Sequence, residues 1–211
     1  MGRHVDESTS QTLNNKTLGS DLDAGGFKIT NLAAPVNDND AARKIDVSAA
    51  GKWQVVYETT LSANMTYVDI TGLNINTDKI YKLYLNLKNV AGTTAECNIF
   101  INGNYTATEY YKQYMEINGT GITAGRANDS NIGTIPSGGA FASEVSIYKD
   151  ITNYLRVISY SNYSNGSNIR GLSTWNTTIN TITNITSIRI SSNTSNAFSA
   201  GSYILLCKPR G

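Results

Sequence analysis

The carboxylates with catalytic potential in this 211-residue chain are Glu58, Asp69, Glu96, Glu109, Glu116, Asp129, Glu144 and Asp150. Cleaving a glycosidic bond needs two carboxyl groups about 5–9 Å apart across a cleft. Glu109 and Glu116 are a pair that sequence spacing leaves open. A glutamate on a solvent-facing strand is the commoner fate, so these residues point away from an enzyme. The one histidine, His4, lies in a polar leader. That removes a histidine-based triad or metal site from the rest of the chain. No G-x-S-x-G elbow, phosphate loop or dinucleotide fingerprint occurs. Gly25-Gly26 and Gly138-Gly139 read as turns, because no strand-to-helix context follows them. No catalytic residue, metal or cofactor is therefore expected.

Adhesion is the better expectation. Tyr105, Tyr110, Tyr111, Tyr114, Tyr160, Tyr163 and Trp175 border two polar stretches, 118–139 and 161–173. Aromatic rings stack on the apolar face of a sugar, while Asn, Ser and Thr bond its hydroxyls. Binding residues concentrate on loops held by a rigid scaffold. Tyr110, Tyr111, Tyr163 and Trp175 are the candidate receptor or glycan contacts. Ordinary sheet packing or subunit contact is the competing reading of each, since Tyr favours strands.

The elements that would position these rings have a period of two from Trp53 onward. Trp53-Val55-Tyr57, Met65 to Ile70 and Ile80 to Lys88 alternate in character, with Leu83, Leu85 and Leu87 on one face. Ala95 to Ile101 ends at Asn102-Gly103, a hairpin-turn dipeptide. Thr106–Ile117, Phe141–Tyr148, Tyr154–Tyr160, Ile182–Ser191 and Ser202–Lys208 complete nine or ten strands. Between them, 118–139 and 161–173 read as loops, and no helical pattern appears. This density of strands predicts an all-β antiparallel sandwich or jelly roll. Before it, Asn37 to Asp40 offer helix caps ahead of one short helix over 41–50, stopped by Gly51. Residues 1–20 are too polar to fold alone and read as an extended N-terminal arm.

Composition sets outer bounds. Net charge is +1 and charged residues are 16% of the chain, with no basic run. Bulk attraction to nucleic acid or an anionic membrane is not indicated. No apolar run approaches the ~18 residues of a membrane span, and no signal-peptide core is visible. Thirteen tyrosines against four phenylalanines favour aromatics with a polar tip. Cys97 and Cys207 are expected as buried free thiols rather than a disulfide. Ten Asn-x-Ser/Thr sequons occur, at Asn15, Asn64, Asn104, Asn118, Asn128, Asn162, Asn165, Asn176, Asn184 and Asn193. They matter in a host that glycosylates such proteins.

One stretch carries a resemblance. Asp21, Leu22, Asp23, Gly26, Lys28, Ile29, Asn31, Leu32, Pro35, Asp40, Ala41 and Lys44 stand at the spacing D-L-D-x-x-G-x-K-I-x-N-L…P-x-x-x-x-D-A-x-x-K. This resembles a module of tail-fibre and related fibre proteins of tailed viruses. The family continues with Lys-Tyr-Val-Asp into a longer helix, whereas this chain has Lys44-Ile45-Asp46-Val47. The ending, Ile185 to Ile190 followed by Gly201 to Leu206, looks like the last strand pair of jelly-roll domains on viral fibres. The resemblance implies a virion protein that forms a homotrimer and docks other virion proteins, of capsid or tail, through its N-terminus. Val5, Leu13 and Leu18 are the expected anchor residues.

The resulting expectation has three parts: a virion-anchoring arm over 1–20, a connector over 21–51 and a jelly-roll-like head over 52–211. Its function would be host-surface adhesion, with a glycan as the ligand. A head fibre or capsid decoration protein that stabilises the shell is the first alternative. A cellular lectin-like module and a depolymerase follow.

Overall fold

The computed structural model describes residues 53–118, 121–164 and 169–210, all within the compact unit Gly51–Gly211. The arm (Val5, Leu13, Leu18), the connector (Asp21 to Lys44), the helix expected over 41–50 and His4 lie outside the described residues.

The described chain forms twelve strands, one α-helical turn and one 3-10 turn. The strands are β1 (Trp53–Thr60), β2 (Tyr67–Thr71), β3 (Ile80–Lys88), β4 (Ala95–Ile101), β5 (Tyr110–Asn118) and β6 (Gly121–Ala127). They continue with β7 (Asn131–Ile135), β8 (Ala140–Lys149), β9 (Leu155–Ser164), β10 (Ile169–Thr178), β11 (Ser187–Ser191) and β12 (Tyr203–Pro209). Every pairing is antiparallel.

Two sheets face each other. The large one has the order β1-β12-β3-β8-β9-β10-β5-β6 and the small one β2-β11-β4-β7. Set aside β5, β6, β9 and β10, and two four-stranded sheets remain, β1-β12-β3-β8 opposite β2-β11-β4-β7. Successive strands of that core mostly swap sheets, which is the jelly-roll solution to two unpaired sheet edges. The remaining four strands are two insertions, β5–β6 and β9–β10. Both extend the large sheet beyond β8.

Alternation places the core. Tyr81, Leu83, Leu85 and Leu87 of β3 point inward and are buried, while Lys82, Tyr84, Asn86 and Lys88 point out. Val145, Ile147 and Leu206 continue that inner face, and Val68, Ile70, Ile99, Ile101, Ile188 and Ile190 meet it from the small sheet. Burying one such aliphatic side chain is worth about 1.5–3 kcal/mol.

Where the insertions begin, the inner face turns polar. Ser143, Ser159, Ser161 and Thr174 are buried and bonded to one another, Ser143 to Ser161 at 2.8 Å and Ser159 to Thr174 at 2.7 Å. Ser159 and Ser161 also donate to the Ile132 carbonyl of β7. These small side chains let the β7 backbone come close, and Gly133 does the same against the Phe141 ring.

This polar floor corrects the expectation for both polar stretches. Instead of a loop over 118–139 there are β6 and β7, with Ile132 and Ile135 fully buried. Instead of a loop over 161–173, β9 runs on to Ser164 and β10 begins at Ile169. Hydroxyl groups face inward there because a backbone carbonyl accepts from them. The expected lack of helix after Trp53 is also corrected. Asn74 caps a single turn, α1 (Ile75–Asp78), by accepting from the Asn76 amide.

Asn102-Gly103 forms its turn but not the hairpin. Their φ angles are 52° and 75°, and the Asn104 amide closes on the Ile101 carbonyl at 2.9 Å. Two positive φ values define the mirror-image turn that Asn-Gly favours. The chain then leaves for the other sheet, because β4 pairs with β11 and β7 rather than with β5. Cys97 on the small sheet and Cys207 on the large one are both free and buried.

Candidate functional site

The four aromatic candidates divide by strand parity. On β5, Tyr110 points inward and is 1% exposed, while its neighbour Tyr111 points outward and is 48% exposed. The Tyr110 hydroxyl accepts from the Ile101 amide at 3.0 Å and donates to the Asn104 carbonyl at 3.0 Å. Burial pushes that hydroxyl up to about 12. Tyr110 therefore staples the Asn102–Gly103 turn to the core and is corrected from a binding residue to a packing one.

Tyr163 of β9 is corrected on the same ground. It is 5% exposed, and its hydroxyl donates to Glu116 Oε1 at 2.5 Å, with Arg170 over its ring. Burial raises its pKa first, and the Glu116 carboxylate adds to that.

Tyr111 and Trp175 are brought together. Tyr111 pairs with Thr177, and Trp175 with Gln113, so the two rings stand diagonally across neighbouring strands on the outer face. Diagonal side chains of this length reach one another. Trp175 is 42% exposed. The two rings line an outward-facing groove of about 340 Å³, together with Gln113, Thr177, Ile158, Arg156 and Tyr148. That volume falls near the lower end of the ~300–1,000 Å³ of small-molecule sites. A second groove of about 440 Å³ lies on the other side of the Tyr111–Gln113 ridge and includes Arg126, Ala127 and Asn128. Both are built from the inserted strands β5, β6, β9 and β10, joined by Asn128 just after β6 and by Tyr148 from the core strand β8.

One charged side chain, that of Arg156, frames the first groove. Arg156 is held by Asp150, which accepts from its Nε at 2.8 Å. Asp150 also receives the amides of Thr152 and Tyr154 and the Thr152 hydroxyl. Those bonds, the Tyr154 amide foremost, hold its carboxyl down at about 2. Lys112 points to the inner side, where Asp129 takes it at 2.7 Å.

Sequence reasoning missed Gln113, Arg126, Tyr148 and Arg156. The first and last two lie on strands it had drawn, and the register to Tyr111 and Trp175 was the signal that no single strand carries. Arg126 sat inside a stretch read as loop.

The open acid pair does not converge. Glu109 ends the 3-10 turn and Glu116 is the seventh residue of β5, six steps beyond Tyr110. Six steps of extended chain span about 20 Å, far beyond the separation two glycosidase carboxylates need. Other acids are engaged in structural pairs. Asp69 takes Arg189 through two bonds of 2.7 and 2.6 Å, and the guanidinium lies 3.8 Å from the rings of both Tyr67 and Tyr105. Asp78 accepts from Tyr81 at 2.6 Å and Lys208 at 2.8 Å. Burial raises the Asp78 pKa, but the bonds from Lys208 and Tyr81 outweigh it and leave it lowered. Among the described residues no cluster of His, Cys, Asp and Glu fits a metal ion, and no helix is long and apolar enough to cross a membrane. The sequon residue Asn176 is buried, its amide donating to the carbonyls of Asp129 and Asn131.

No family model, curated protein or solved structure matches the chain.

Proposed function

We propose that this chain is a non-enzymatic fibre protein of a virus particle that adheres to a host-surface glycan through the Tyr111–Trp175 groove. The observation that carries the adhesive part is the pairing of those two rings on one outer face, beside Gln113 and Thr177. Ring faces suit the apolar face of a pyranose, and the amide and hydroxyl suit its hydroxyl groups. The viral part rests on the resemblance of residues 21–44 and of the C-terminal strands to fibre proteins. In this reading residues 1–20 grip other virion proteins and three copies assemble into one fibre. Exposed Met115, Ile117, Ile122 and Tyr160 on adjoining strands support self-association, since contiguous apolar surface is uncommon on a free monomer.

The test is binding of the full chain to a glycan array and to host cells, with Trp175→Ala as the control. Removing the indole should weaken sugar binding by about 2 kcal/mol, roughly thirtyfold, without lowering the melting temperature. Unchanged sugar binding in Trp175→Ala overturns the site. An array with no bound sugar, together with host-cell adsorption that added free protein does not compete, overturns the adhesive function.

A further inference from the structure

We infer that the groove selects acidic sugars, with Arg126 reading a carboxylate or sulfate on the ring that Tyr111 and Trp175 hold. The inference rests on the glycan reading above and adds the chemical class of the ligand. It starts from one cross-strand row. Arg126 pairs with Gln113, Gln113 with Trp175, and Trp175 with Ile158, all on the outer face of the large sheet. Arg126 and Trp175 thus stand one strand to either side of Gln113. Their backbones are about 10 Å apart, at two strand spacings. A sugar ring on the indole and an extended arginine side chain together bridge that gap.

Charge in the two grooves is one-sided. Arg126 and Arg156 are the outward-pointing charged residues that line them, and no carboxylate does. Arg156 is already answered by Asp150, and Lys112, on the inner side, by Asp129. Arg126 is exposed on the edge strand β6, and its side chain makes no ion pair or hydrogen bond to the described residues. A chain with net charge +1 has no general excess of cations to spread over its surface. That leaves Arg126 as the one unanswered cation lining these grooves among the described residues. Guanidinium presents a planar fork of donors that fits carboxylate or sulfate oxygens.

The experiment uses the full-length protein and matched oligosaccharide pairs. Uronic-acid oligomers are set against their methyl esters, sialyl oligomers against their asialo forms, and sulfated oligomers against their desulfated forms. Binding is read by calorimetry for wild type, Arg126→Gln and Trp175→Ala. The proposal expects an acidic member to bind more tightly than its neutral partner, and Arg126→Gln to remove about five- to tenfold of that preference. It expects Arg126→Gln to leave the melting temperature unchanged, and Trp175→Ala to weaken both members. Equal binding of acidic and neutral partners, or an unaltered preference in Arg126→Gln, overturns this inference and leaves the glycan groove standing. Binding of no sugar in any pair overturns both.

Discussion

Adjacent tyrosines on β5 provide a direct test of the separation between core and groove. In Tyr110→Phe the ring stays and only the hydroxyl goes. That hydroxyl is the acceptor for the buried Ile101 amide and the donor to the Asn104 carbonyl. Losing a typical hydrogen bond costs about 1 kcal/mol, and a buried amide left without an acceptor costs about 1–3 kcal/mol. The edge-on contact with Phe100, at 5.8 Å between ring centres, is kept. The expected loss is thus about 2 kcal/mol, or roughly 5 °C in melting temperature for a domain of this size. Urea unfolding of full-length Tyr110→Phe should show a lower midpoint with an unchanged slope, and glycan affinity should not move. Tyr111→Ala should do the opposite, weakening binding while leaving the unfolding free energy within about 0.5 kcal/mol of wild type. Weakened sugar binding with unchanged stability in Tyr110→Phe would refute the parity assignment. So would unfolding by Tyr111→Ala.

Three further outcomes follow from the same structure. A Cβ on Gly133 would lie 2.3 Å from Phe141 Cε2, so Gly133→Ala should cost about 1–3 kcal/mol in urea unfolding as β7 is pushed off its serine floor. Cys97 and Cys207 should both react with a thiol reagent in denaturant, only slowly in the native protein, and a reductant should leave the melting temperature unchanged. The Asp150 carboxyl is depressed to about 2, so the order it gives the 150–156 turn is fully present above its unfolded value near 4 and is lost as pH falls towards 2. Carboxyl NMR of Asp150 should follow that fall, and the Arg156 Nε–H resonance should shift with it.

The large sheet was legible where chemistry and geometry agree. Leu83, Leu85 and Leu87 announce β3 because an apolar side chain at every second position has one physical use. The inserted strands obey a different rule. Ser159, Ser161 and Thr174 face the interior because the Ile132 carbonyl and their own hydroxyls satisfy them, so polarity no longer marks solvent. β6 carries little apolar surface because it is an edge strand with nearly every residue exposed, and its glycines and alanines then mimic a loop. Four aromatics were chosen by type, and two proved to be core. A ring on a strand is in or out according to where the strand begins, and the 3-10 turn Ala107–Glu109 sets that phase for β5. Nothing in the identity of Tyr110 or Tyr111 distinguishes them.

The division between core and insertions has a consequence for how the groove can vary. The eight jelly-roll strands contain most of the apolar core and do not depend on Tyr111, Gln113, Arg126 or Trp175 for packing. Those side chains stand on the outer face, so replacing them should leave stability little changed. The inner face of the same strands is constrained, because Ser159 and Thr174 must meet each other and the β7 backbone. One β10 segment, Thr174-Trp175-Asn176, thus alternates between positions fixed by packing and a position free to follow a ligand. A variant library randomised at 111, 113, 126 and 175 should stay folded and lose or exchange sugar specificity. The same library placed at 110, 159, 163 and 174 should mostly fail to fold, and the contrast measures how completely parity separates the two tasks.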